Sequence, residues 1–253
     1  MTICIAALCD GGKSLVVAAD KEMTAAGLSL KFSHDEKKID MLTEKCVVLS
    51  AGDALVAAEV TQRTKDKVKK EMSVQKISET MKDTYIQAHL ERVESVVLKP
   101  LGYTWQEFKD KGSTQLPLSI YQNVHQLIFG FGLNVSEFLV SGLDENGAHI
   151  FRVFYAGVNG GNWIEWCDKL GYRAIGTGCP HAYSLFAMSH QHRGMSVDDT
   201  LFNVYCAKKS AELAPGVGSE EDFALLSASG GIKFIEEAKM DDLKKKRRER
   251  YGA

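Results

Sequence analysis

The first twenty residues constrain this chain more than any other segment. Ile3, Ile5 and Ala7 are apolar, and so are the intervening Cys4, Ala6 and Leu8. Successive strand side chains point to opposite faces, so a strand built from this run must be covered on both sides. Asp10-Gly11-Gly12 is a turn signal, and Lys13 to Asp20 reads as the returning strand, rich in Leu15, Val16 and Val17. The result is a hairpin that starts at Thr2, ends at Asp20 and lies between another sheet and a layer of helices.

Hydrophobic period extends this to the whole chain. Leu28 to Phe32 and Cys46 to Ser50 read as further strands. Residues 53–98 read as helical, with Ile77, Met81 and Tyr85 on one spacing and Leu90, Val93 and Val97 on another. Residues 117–129 form a second helical stretch opened by a proline. Residues 138–144 and 148–154 read as strands joined at Glu145-Asn146-Gly147, a hairpin signal. Cys179 to Ser189 and Ser196 to Leu213 read as an opposing helix pair, and residues 222–227 and 232–235 as closing strands. The expected fold is a single α+β domain over residues 1–253, a four-layer αββα sandwich of two mainly antiparallel sheets flanked by helices.

Initiator methionine is normally removed before a residue as small as threonine. Loss of Met1 leaves Thr2 carrying a hydroxyl and a free amine, so that the amine can serve as base for its own side chain. An α-amino group has an unperturbed pKa of about 7.7 to 8.0, which leaves a useful fraction deprotonated near neutrality. Antiparallel pairing brings the start of one strand beside the end of the next, which sets the Asp20 carboxylate near that amine. Lys37-Lys38-Ile39 and Ala51-Gly52 at the end of the 46–50 strand follow in order, and Gly176-Thr177-Gly178 lies downstream.

As an ordered set, Thr2, Asp20, Lys38, Gly52, the Gly-Thr-Gly element and the Met195 to Asp199 helix start resemble the β-type subunits of proteasomes and their simpler bacterial relatives, over most of residues 2–235. The resemblance implies an N-terminal nucleophile hydrolase fold and a threonine peptidase. Thr2 Oγ would attack the scissile carbonyl while its amine relays the proton. Lys38 would lower the pKa of both groups, and Asp20 would hold the lysine. The Gly52 N–H would donate to the oxyanion, Thr177 would support the amine, and Thr24 and Ala51 would contact substrate. It further implies a closed homo-oligomeric ring, a peptide or unfolded-protein substrate, an ATPase unfoldase as partner, a cytoplasmic location, and neither metal nor organic cofactor. The pattern departs where the family carries an Asp and a Ser near the end of the long helix, since Glu212 and Pro215 align there, and at Glu22, where many relatives have arginine. A non-catalytic assembly subunit and an amidase for small acyl substrates on the same scaffold stay open beside the peptidase.

A net charge of -2 argues against a generic nucleic-acid binder. No basic leader precedes an apolar core and cleavage site, and no run of about 18 apolar residues occurs, so neither secretion nor membrane insertion is expected. The six cysteines form no C-x-x-C pair and read as reduced, buried residues. Cys179, at a helix start, is where a thiolate would be most favoured. His190 and His192 are two apart and face different directions, a poor metal pair. His34, near Lys38, could line a cleft. Residues 92–116 lengthen a helix connection and read as a loop, and the basic run within 236–253 reads as a solvated helical tail.

Overall fold

The computed structural model describes residues 2–24, 31–33, 38–131, 136–154 and 163–252, giving the backbone alone at 23, 24 and 31–33. It is a mixed α+β domain of two five-stranded antiparallel sheets, one two-stranded ribbon and helices on both outer faces. Chain order is β1 (Cys4–Cys9), β2 (Ser14–Asp20), β3 (Glu22–Thr24), β4 (Lys31–Ser33), β5 (Ile39–Thr43), β6 (Cys46–Gly52), α1 (Ala54–Lys65), α2 (Val74–Val93), α3 (Trp105–Gln115) and α4 (Leu118–Gly130). There follow β7 (Ser136–Asp144), β8 (Gly147–Phe154), β9 (Ile164–Trp166), β10 (Tyr172–Ile175), α5 (Cys179–Met188), α6 (Val197–Ala211), β11 (Glu221–Ser227), β12 (Gly231–Phe234) and α7 (Glu237–Tyr251).

The first sheet runs β10-β1-β2-β11-β12 and the second β5-β6-β7-β8-β9, with β3 and β4 pairing separately. The doubly apolar β1 explains the stacking. Ile3, Ile5, Ala7 and Cys9 pack with α5 and α6 residues such as Phe186, Phe202 and Tyr205. Cys4, Ala6 and Leu8 pack with Leu49, Leu139 and Ile150 of the second sheet. The outer face of that second sheet, through Val48, Phe138, Val140 and Val153, is covered by Val60 of α1 and by Ile77, Met81 and Tyr85 of α2. Each fully buried aliphatic side chain contributes about 1.5–3 kcal/mol, so the three interfaces jointly hold the strand ends that carry the candidate site.

Three features differ from the sequence reading. The helical block over 53–98 is two helices, each with its own start signal. The Asp53 carboxylate accepts from the N–H groups of Leu55 and Val56, and the Ser73 hydroxyl from that of Lys76. The 92–116 connection is not a loop. It continues α2 through a further helical turn and then forms α3, whose start is fixed by a reciprocal capping box between Thr104 and Glu107. The 117–129 stretch is helical, but it lies outside the outer layer that α1 and α2 form. Instead α4 packs with α3 around Leu98, Phe108 and Val124. The basic tail is helical as read, but Leu243 is buried against the α6 layer and Lys246 lies 4.5 Å from the Phe202 ring, so α7 is docked as well as solvated. Among the described residues no helix is long and apolar enough to cross a membrane.

Candidate active site

The site follows from the register of the first hairpin. Cys4 pairs with Ala19, and the Asp20 N–H donates to the Ile3 carbonyl at 3.1 Å, which sets Thr2 beside Asp20. The Thr2 hydroxyl donates to Asp20 Oδ1. The same oxygen accepts from the Ile3 N–H at 3.1 Å and from Lys38 Nζ at 2.9 Å. Asp20 Oδ2 accepts from the Gly218 N–H at 3.0 Å. The Asp20 side chain is 0% exposed, so its charge is balanced by these donors and not by water.

Lys38 enters from the residue preceding β5. Its Nζ donates to Thr2 Oγ at 2.6 Å, to Asp20 Oδ1 and to the Glu22 carbonyl. An ammonium has three N–H donors, and all three are used, which fixes its position. Thr2 Oγ therefore sits between a buried carboxylate and a part-buried ammonium; the ammonium favours negative charge on that oxygen, and the carboxylate opposes it.

The carbonyl of Thr2 is held by the Gly176-Thr177-Gly178 turn between β10 and α5. Gly178 N–H donates to it at 3.4 Å, and the Thr177 hydroxyl stands 3.5 Å away. The resemblance implies an amine contact for Thr177; its neighbour in the structure is the carbonyl of Thr2. Gly176 has φ +93°, and a Cβ there would collide with the Thr2 carbonyl, so only glycine fits. Ala51 and Gly52, at the end of β6, lie across a cleft of about 440 Å³ that Thr2 and Thr177 also line. Gly52 has φ +114°.

Five of the expected site residues, Thr2, Asp20, Lys38, Gly52 and Thr177, thus converge, with Ala51 beside them. The Thr24 side chain, His34, Leu28 and Met1 lie outside the described residues. Cys179 lines the same cleft, but burial first, and then Glu137, push its thiol above the ordinary value, so the helix start does not yield a favoured thiolate. Cys4 adjoins the site as well. Burial takes its thiol to about 12 despite the opposing pull of Lys38. His190 and His192 follow the end of α5, and His192 Nδ1 accepts from the Gly194 N–H at 3.1 Å.

Two sets of residues escaped the sequence reading. One supports Asp20 from below. Lys208 of α6, fully buried, donates to Glu212, Glu221 and the Ser219 carbonyl, which ties down the stretch bearing Gly218. Lys209 shares both carboxylates. Although burial pulls it down, hydrogen bonds to Glu221 and Glu212 hold it above its ordinary value. Glu212, the departure noted above, has its place in this network. The other set is a charged row, Glu137, Arg152, Glu165 and Arg173, at the edge of the cleft. Strand period was the available signal: Glu137 alternates with Leu139 and Leu143, and Arg152 with Ile150, on the inward face.

A larger groove of about 620 Å³ lies between Val96, Leu101, Ile120 and Leu127, and no ionisable side chain lines it. No known protein-family profile matches the chain, and no curated protein is significantly similar to it.

Proposed function

We propose that this protein is a proteasome-like threonine peptidase of the N-terminal nucleophile class, hydrolysing peptide amide bonds at Thr2. The observation that supports it is the mutual hydrogen bonding of Thr2 Oγ, the Asp20 carboxylate and Lys38 Nζ at the edge of an open cleft. Hydrolysis of the peptide bond preceding Thr2 frees its amine. That amine takes the proton of Oγ as the oxygen attacks the scissile carbonyl. The Lys38 charge stabilises the attacking oxygen, and Asp20 holds lysine and hydroxyl in register. The tetrahedral oxyanion is assigned to the backbone N–H of Gly52, a kind of contact that contributes about 3–4 kcal/mol in comparable sites. Collapse breaks the C–N bond, the protonated α-amine returns its proton to the departing amine, and water then hydrolyses the Thr2 ester.

The test is hydrolysis of a set of peptide amides by chain verified by mass to begin at Thr2, beside a Thr2→Ala variant. A loss of at least about a thousandfold in kcat/KM is expected, the scale seen when a nucleophile is removed. Equal rates rule the reading out.

A further inference from the structure

Sandwich interiors are apolar, yet four charges meet at the open edge between these two sheets. Glu137, Arg152 and Glu165 come from β7, β8 and β9 of the second sheet, and Arg173 from β10 of the first. Arg152 is fully engaged. It grips both oxygens of Glu137 at 3.1 and 3.0 Å, reaches Glu165 at 3.2 Å, and lies 4.0 Å from the Phe154 ring. Arg173 is different. Its guanidinium meets Glu165 at 2.6 Å, while its Nε is buried with no acceptor among the described residues. A guanidinium has five N–H donors, so Arg173 has donors unspent, and it lines the same cleft as Thr2 and Gly176.

We propose that Arg173 makes this cleft a subsite for a substrate carboxylate, so that the bonds cleaved at Thr2 lie near an acidic side chain or a free chain terminus. The inference rests on the hydrolase reading above. A carboxylate matches the planar fork of a guanidinium in two parallel hydrogen bonds, which no neutral side chain does. Glu137 and Glu165 also face the region, but each already lies against a guanidinium, so the row is neutral before a ligand arrives and its open donors belong to Arg173. Reach sets the position. Arg173 pairs with Ala6, four residues along β1 from Thr2, about 13 Å at strand rise. The extended side chains of Arg173 and of an acidic residue together cross much of that span, which puts the carboxylate one or two residues from the scissile carbonyl.

The experiment compares matched peptides carrying Glu or Gln at each of the two positions on either side of the cleaved bond, with free and amidated carboxyl termini as separate arms. The readout is the ratio of kcat/KM between matched pairs, which does not depend on how much of a variant folds. At one position or at the terminus, the carboxylate form is favoured roughly tenfold or more, the effect of one charge-assisted hydrogen bond. Arg173→Gln brings that ratio to about one, Arg173→Lys keeps part of it, and Arg173→Glu turns the preference towards Lys. Hydrolysis with ratios near one throughout, or a preference that survives in Arg173→Gln, overturns the inference alone. Absence of hydrolysis from every peptide, neutral ones included, overturns the hydrolase reading and the inference with it.

Discussion

At the scale of single residues the candidate site turns on Asp20. One enclosed carboxylate accepts from the Thr2 hydroxyl, the Ile3 and Gly218 N–H groups and the Lys38 ammonium. Removing it strands a largely buried ammonium, and breaking such a pair from one side typically costs about 3–5 kcal/mol. Asp20→Ala is expected to lose that much in urea denaturation. Asp20→Asn keeps the shape and some hydrogen bonds but not the charge, so it should lose less stability while still impairing hydrolysis. A stability change within about 0.5 kcal/mol for Asp20→Ala, the range of ordinary surface substitutions, contradicts the described network. Thr2 and Asp20 were legible in sequence because hairpin pairing alone brings them together. Arg173 was not, because β10 is four residues long and gives no clear period.

At the scale of elements, the turn between β10 and α5 decides where Thr2 sits. Gly176→Ala brings both a disfavoured φ and a clash with the Thr2 carbonyl. The expected result is a destabilisation of about 1–3 kcal/mol and a drop in hydrolysis larger than the folded fraction explains. Wild-type stability and rate in Gly176→Ala would show that the turn does not hold Thr2. The long strands and α5 and α6 were readable from period and caps. The helical nature of 105–115 was readable only from the local pairing of Thr104 with Glu107, a signal outweighed by the Pro100-Leu101-Gly102 stretch that suggests a loop. The packing of α4 away from the outer layer depends on tertiary contacts that no local pattern encodes.

At the scale of the whole molecule, the sandwich buries thiols throughout its layers. Burial takes Cys4 and Cys9 to about 12 and Cys167 and Cys206 to about 11, from an ordinary value of 9.0, and raises Cys46 further. The folded values lie above the unfolded ones, so above pH 9 the unfolded chain gives up protons that the folded chain keeps. Stability is therefore intact below that pH and falls as pH rises towards 11 and 12, by about 1.4 kcal/mol per pH unit for each fully buried thiol. Urea midpoints between pH 8 and 11 should fall steeply, and Cys9→Ala should give a shallower slope; a flat profile contradicts this account. The alternation of β1 between two interfaces was evident from its doubly apolar pattern, which is why the layers followed from sequence while the charged cleft edge did not.

The most direct test of the central claim is to trap the acyl intermediate. Chain verified to begin at Thr2 is mixed with an activated acyl ester, quenched with acid and mapped by mass spectrometry. The account requires one acyl group on the side chain of Thr2, absent when Thr2 remains blocked by a preceding residue and strongly reduced in Lys38→Met. Hydrolysis that proceeds equally with Thr2 blocked, or an acyl group found on any other residue, would contradict it.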